Sequence, residues 1–240
     1  MRLSNALAAV VAMLLTVPAH AQLLHYYPFS IDARDVVGGV NGTLVGGATV
    51  SGGMLRLNGS SAYVQFGSHI VPTSGSFTVS LLAQQTVVQT SFVEFISQGS
   101  NLGPNAFFIG LDPTRNIRAG QNWIATAVPF PAVGNSVFVT LVADASINQS
   151  MLYLNGNLAA TRNFAIVGGA NGQDTRLGQQ FDCCPEFFGG NLDEVRIYGN
   201  ALSAAEVATL VAPEPSTYVL LASGLIVVGG IAVRRKQRVS

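Results

Sequence analysis

The sequence predicts an all-β sandwich of two antiparallel sheets with one short C-terminal helix. Three observations carry that expectation. Short apolar runs recur about every ten residues, separated by Gly, Asn, Ser and Thr, which is the rhythm of a sandwich. No apolar stripe of helical period appears before residue 200. Charged residues make up only 10% of the chain while Gly contributes 26 of 240 residues, a balance that suits many tight turns and few solvated helix faces.

Leu24-His25-Tyr26-Tyr27-Pro28-Phe29 reads as the first strand, at an edge, because Pro28 cannot donate to a ladder. Gly38, Gly39, Asn41 and Gly42 then tolerate positive φ, so residues 32–44 can fold into a tight loop. Residues 54–66 follow, and the family resemblance given below implies a hairpin there. Phe77, Val79, Leu81 and Ala83 alternate with Thr78, Ser80 and Leu82, as in a core strand. Residues 91–97 and 106–111 are expected to pair, and 136–143 form another strand. Residues 151–160 form a hairpin on Asn155-Gly156, since a type I′ turn needs positive φ at both central positions. Residues 189–198 are the last strand. A strict period of two puts Asp193, Val195 and Ile197 on one apolar face and Glu194, Arg196 and Tyr198 on the other, wet one. An unpartnered buried carboxylate is costly, so Asp193 needs a partner, a metal or the wet rim. Ser203 with Glu206 three residues on is a capping box, which starts the closing helix.

The two ends carry addresses. Residues 1–21 combine Arg2, an apolar run over 6–17 and Pro18-Ala19-His20-Ala21, the pattern of a secretory signal peptide cleaved before Gln22. Residues 216–233 are uncharged; as a helix their 18 residues reach about 27 Å, close to a hydrocarbon thickness of about 30 Å. Arg234-Arg235-Lys236-Gln237-Arg238 follows and is expected to stay cytoplasmic. The domain between, 22–212, holds seven Arg and no Lys against 11 of the 12 acids. Its charge is near −4, so it lacks the basic footprint that nucleic-acid binding requires.

Four motifs in order resemble laminin-G-like domains of the concanavalin A-like lectin/glucanase superfamily. They are Phe29…Asp35…Gly38…Asn41-Gly42-Thr43-Leu44, then Leu55…Asn58-Gly59-Ser60…Tyr63-Val64, then Leu152-Tyr153…Asn155-Gly156…Ala160. The fourth and strongest is Asp193-Glu194-Val195-Arg196-Ile197-Tyr198 followed by Ala201-Leu202-Ser203 and Glu206. The resemblance covers residues 27–210 and implies a jelly-roll sandwich, with a calcium ion near the first and last strands. Leu82 stands where family members often carry Trp. Pro213-Glu214-Pro215, the apolar span and the Arg-rich tail of residues 213–240 resemble the bacterial PEP-CTERM sorting signal, which implies handling by an exosortase.

Candidate chemistry is sparse. Calcium takes 6–8 oxygens, and Asp35 and Asp193 are the candidate carboxylates, with loop carbonyls completing the set; the plainer reading is that Asp193 accepts backbone amides of that loop. Cys183 and Cys184 are adjacent and the only cysteines, consistent with a strained vicinal disulfide, two free thiols or an intermolecular cross-link. Trp123, Phe187 and Phe188 are candidate sugar platforms, although a sole Trp also suits the core. Hydrolysis of a glycoside needs two carboxyls flanking the bond, and Glu94 stands alone in its strand. The expected function is an exported, non-catalytic envelope or matrix protein that binds glycan or mediates adhesion through a calcium-braced sandwich. The alternatives are a structural matrix component and, more remotely, a glycosidase with rearranged acids.

Overall fold

A computed structural model of the protein describes residues 21–100, 106–120, 124–180, 184 and 186–211. The expected signal peptide, the Pro213-Glu214-Pro215 motif and the apolar span of 216–233 lie outside the described residues, as do Trp123 and Cys183. Among the described residues no helix is long and apolar enough to cross a membrane.

Two sheets, antiparallel throughout, make the domain. One holds eight strands: β1 (Leu23–Tyr27), β3 (Thr49–Ser51), β4 (Met54–Asn58), β6 (Phe77–Gln85), β11 (Ser136–Asp144), β12 (Gln149–Leu154), β13 (Asn157–Arg162) and β15 (Gly189–Tyr198). The other holds seven: β2 (Thr43–Val45), β5 (Tyr63–Gln65), β7 (Val93–Gly99), β8 (Phe107–Leu111), β9 (Asn116–Ala119), β10 (Ile124–Pro129) and β14 (Gln173–Leu177). The spatial orders are β13-β12-β11-β6-β15-β4-β3, with β1 on β15, and β10-β9-β8-β7-β14-β5-β2. Strand β1 pairs with β15 alone, the edge position that Pro28 predicts.

The core lies between the sheets. Phe77, Val79, Leu81 and Ala83 of β6 are all 0% exposed, and the three larger ones each contribute about 1.5–3 kcal/mol by burial. They meet the inward residues of the other sheet, as where Phe77 packs edge-on against Phe107. Leu82 points away from this core and is half-buried, so the Trp common in the resembling family is not missing from the interior.

The Asn155-Gly156 turn forms as read: φ is 46° and 78°, and Leu154 pairs Asn157. Helix α1 (Ala204–Leu210) starts with the full capping box, Ser203 accepting the Glu206 amide and the Glu206 side chain accepting the Ser203 amide. It covers the outer face of the eight-stranded sheet through Val207 and Leu202 against Val142, Tyr153 and Tyr198.

Two local expectations are corrected. Residues 54–66 do not form a hairpin: β4 lies in one sheet and β5 in the other. The turn between them is organised by Asn58, whose side-chain oxygen accepts the amides of Ser60, Ser61 and Ala62 and carries the chain across the sandwich. In β15 the period of two breaks. The pairing with β6 shifts between Asp193 and Arg196, with Glu194 at φ 53°. This β-bulge puts Leu192, Val195 and Ile197 in the core and turns Asp193 out of it, opposite Leu82.

Candidate functional site

The loop after β1 is built around Asp35. Its side chain is 0% exposed and accepts His25 Nδ1 at 2.6 Å. It also accepts the amides of Tyr26, Val37, Gly38 and Val40 at 3.0–3.1 Å. Gly38 is required for that approach, because a Cβ there would lie 2.4 Å from both His25 Nδ1 and the Leu24 carbonyl. These donors hold the Asp35 carboxyl below its ordinary range against the opposing effect of burial. With both oxygens facing N–H groups, Asp35 does not fit the part of a calcium ligand.

Asp193 is different. It is half-buried and Oδ1 accepts the amide of Glu194 at 2.8 Å. Burial pushes its pKa up to about 6, the bonded amide and Arg196 pulling the other way. The neighbouring Glu194 is tied to Arg196 and accepts Tyr26 Oη at 2.9 and 3.0 Å, with the Arg196 guanidinium over the Tyr26 ring. Among the described residues no group of three His, Cys, Asp or Glu side chains is arranged to hold a metal ion.

A second constellation forms on the outer face of the seven-stranded sheet. The inward residues Val64, Thr175 and Leu177 are fully buried, so Tyr63 and Gln65 of β5 and Arg176 of β14 point outward, each half-exposed. Arg176 is paired in register with Gln65 and donates to its Oε1 at 2.8 Å. It also donates to Gln179 Oε1 and the Gln180 carbonyl, both at 3.3 Å, while its guanidinium lies 5.3 Å from the Tyr63 ring centre. Phe187 stands beside Tyr63, ring centres 6.4 Å apart. Phe188 is corrected as a platform: it is 0% exposed and packs edge-on against Phe95 at 4.8 Å. Just before β15 the chain turns one ring outward and the next into the core.

Further along the same face, the structure gives Glu94 partners. Arg118 donates to Glu94 Oε1 at 2.5 Å and lies 3.5 Å from Glu186 Oε2, with the Phe92 and Phe108 rings at 4.7 and 4.2 Å from its guanidinium. Glu94 Oε2 and Glu186 Oε2 are both buried with no hydrogen-bond donor among the described residues. Burial drives the Glu94 carboxyl well above its ordinary range; Arg118 pulls it back and Glu186 raises it further. Gly110 makes the room, since a Cβ there would sit 2.3 Å from Glu94 Oε2. Sequence reading missed this cluster because Glu186 arrives from a loop ninety-two positions away. Cys184, in that same loop, is disulfide-bonded.

Two antiparallel sheets around one core, one with an aromatic and amide-bearing outer face, define a lectin-like β-sandwich. The chain belongs to the concanavalin A-like lectin/glucanases superfamily, whose family model matches residues 58–208. A PEP-CTERM protein-sorting motif matches residues 211–236, which marks an exported, sorted protein. Among solved structures, domain 4 of AbnA, a GH43 extracellular arabinanase from Geobacillus stearothermophilus in complex with arabinotriose, is similar. It aligns with a TM-score of 0.64 and 25% identity, over 80% of this chain and 99% of that one. The Trypanosoma rangeli sialidase aligns at TM-score 0.61 and 18% identity, over 79% of this chain and 32% of its own. The binding domain of Paraclostridial Mosquitocidal Protein 1 aligns at TM-score 0.62 and 15% identity, over 79% of this chain and 52% of that one. The last two share the fold, and this chain spans about a third of the sialidase. No curated protein matches the chain.

Proposed function

We propose that the protein is a non-catalytic component of the bacterial envelope or extracellular matrix that binds glycan on the outer face of its seven-stranded sheet. The observation that carries this reading is the row of half-exposed Tyr63, Phe187, Gln65, Arg176 and Gln179, which sets aromatic faces beside fixed hydrogen-bonding groups. Sugars offer apolar C–H faces and hydroxyls together, and such a surface meets both. The similarity to an arabinanase domain seen with arabinotriose supports it. Catalysis is disfavoured because the acid pair on this face, Glu94 with Glu186, is packed under Arg118 and Glu94 is 0% exposed, out of reach of a glycosidic bond. An exosortase is the proposed sorting partner, with residues 216–233 holding the chain in the membrane before processing.

A glycan array probed with wild type, Tyr63→Ala and Phe187→Ala tests the reading. Binding that falls at least about tenfold in both variants, with unchanged melting temperature, supports it. No binding by the wild type favours a purely structural matrix role, and release of reducing sugar from a bound polysaccharide overturns the non-catalytic part.

A second reading concerns calcium. We propose Asp193, rather than Asp35, as the carboxylate through which calcium braces the sandwich, because burial leaves it with a raised pKa and a single amide donor. Calcium should then raise the melting temperature of the wild type but not of Asp193→Asn. A wild type indifferent to both CaCl₂ and EDTA removes the ion.

A further inference from the structure

We infer that the subsite around Arg176 selects acidic glycans, recognising the carboxylate of a uronic acid residue. The inference rests on the glycan-binding reading above and narrows its ligand class. Three of the other six arginines of the domain are neutralised within the fold: Arg34 pairs Asp32, Arg118 pairs Glu94 and Arg196 pairs Glu194. Arg56 and Arg115 are held by neutral oxygens away from the Tyr63 and Phe187 rings, so Arg176 is the arginine that stands beside the aromatic row. Arg176 has no carboxylate within ion-pair distance among the described residues, although Asp174 lies two positions away on β14. Its bonds run to three neutral amide oxygens, through Nε and Nη1 only.

Those bonds aim the guanidinium. Gln65 is itself fixed by donating to the Phe66 carbonyl at 2.7 Å, so its Oε1 stays turned towards Arg176. The Gln179 carbonyl is held by Ser97 Oγ at 2.7 Å, which anchors the segment that supplies the second amide. The Tyr63 ring lies beneath. The result is a positioned, uncompensated positive charge whose Nη2 hydrogens have no protein acceptor among the described residues. Holding the fork in place beforehand reduces the entropy lost on binding. A carboxylate is the group that matches it, in a charge-assisted hydrogen bond about twice as strong as a neutral one. The adjacent Tyr63 and Phe187 rings suit the sugar ring that carries that carboxylate. A domain near −4 has no general attraction for polyanions, so selection must come from this local geometry.

The full chain, purified in detergent, is titrated calorimetrically with a galacturonic acid oligomer, its fully methyl-esterified form and arabinotriose. The expected result is at least about tenfold tighter binding of the acid than of the ester, weakening with added NaCl. Arg176→Gln should abolish that preference, and Arg176→Lys, which keeps the charge but loses the planar fork, should retain only part of it. Melting temperatures establish that each variant is folded, and the Lys variant decides if the Gln variant is not. Equal affinity for acid and ester, or an acid preference that survives Arg176→Gln, overturns the inference while leaving glycan binding standing. No binding of any of the three overturns the inference and counts against the glycan reading as well.

Discussion

At the scale of single residues, two aspartates that look alike in sequence have opposite electrostatic roles. Asp35 is surrounded by donors, so its folded pKa lies below the unfolded value. Its contribution is present above the unfolded pKa and is lost as pH falls through the folded one. Asp35→Asn should destabilise the protein by about 2–3 kcal/mol at neutral pH, with the deficit shrinking in acid; urea melts across pH measure it. Asp193 runs the other way. Its pKa is raised from 3.8 to about 6, so the native state binds the extra proton between those values and stability falls as pH rises through that window. In EDTA, Asp193→Asn should therefore be more stable than wild type by about 1 kcal/mol above pH 6 after solvent screening, and indistinguishable below the unfolded pKa. The opposite sign would show that the carboxylate is wanted charged even without a metal.

Elements show which features a sequence can announce. The Asn155-Gly156 turn and the Ser203–Glu206 capping box are specified by residues within four positions of one another, and both form as read. Ser203→Ala should cost about 1 kcal/mol, seen as a lower melting temperature. The inward alternation of β6 was equally plain, because one face of that strand is wholly apolar. Other features depend on partners far along the chain. Nothing in residues 54–66 says whether the two strands share a sheet, since alternation is the same either way. The bulge in β15 places a non-glycine residue, Glu194, at positive φ, and no turn residue marks it, so the face of Asp193 was misread. Glu94 looked isolated because its neighbours arrive from β9 and the loop before β15. That buried cluster has its own test in Gly110. A Cβ there would stand 2.1 Å from the Val93 carbonyl and 2.3 Å from Glu94 Oε2, so β7 and β8 would have to part. Gly110→Ala should cost about 3 kcal/mol or more, beyond the usual range for overpacking because backbone is in the way. A near-neutral melt would mean that β7 and β8 do not approach this closely at Gly110.

For the whole molecule, sorting and folding occupy separate stretches of chain. Helix α1 ends at Leu210 with its cap at Val211, and the apolar core is closed by Val207 and Leu202 before that point. Pro213-Glu214-Pro215 begins two residues after the cap, within the matched sorting motif of residues 211–236. An enzyme acting there has no need to disturb a described strand, the last of which, β15, ends at Tyr198. Two outcomes should follow in a host with the sorting machinery. Replacing Pro213, Glu214 and Pro215 by Ala should leave the wild-type melting temperature unchanged, yet the cell-associated protein should keep the mass of the full tail by mass spectrometry. Ending the chain after Ala212 should release a protein of the same melting temperature into the medium. If the alanine variant is trimmed like the wild type, the motif is not what directs processing. A truncated chain that melts several degrees lower would instead mean that residues beyond α1 contribute to the sandwich, since about 1 kcal/mol shifts the midpoint of a domain this size by about 2–4 °C.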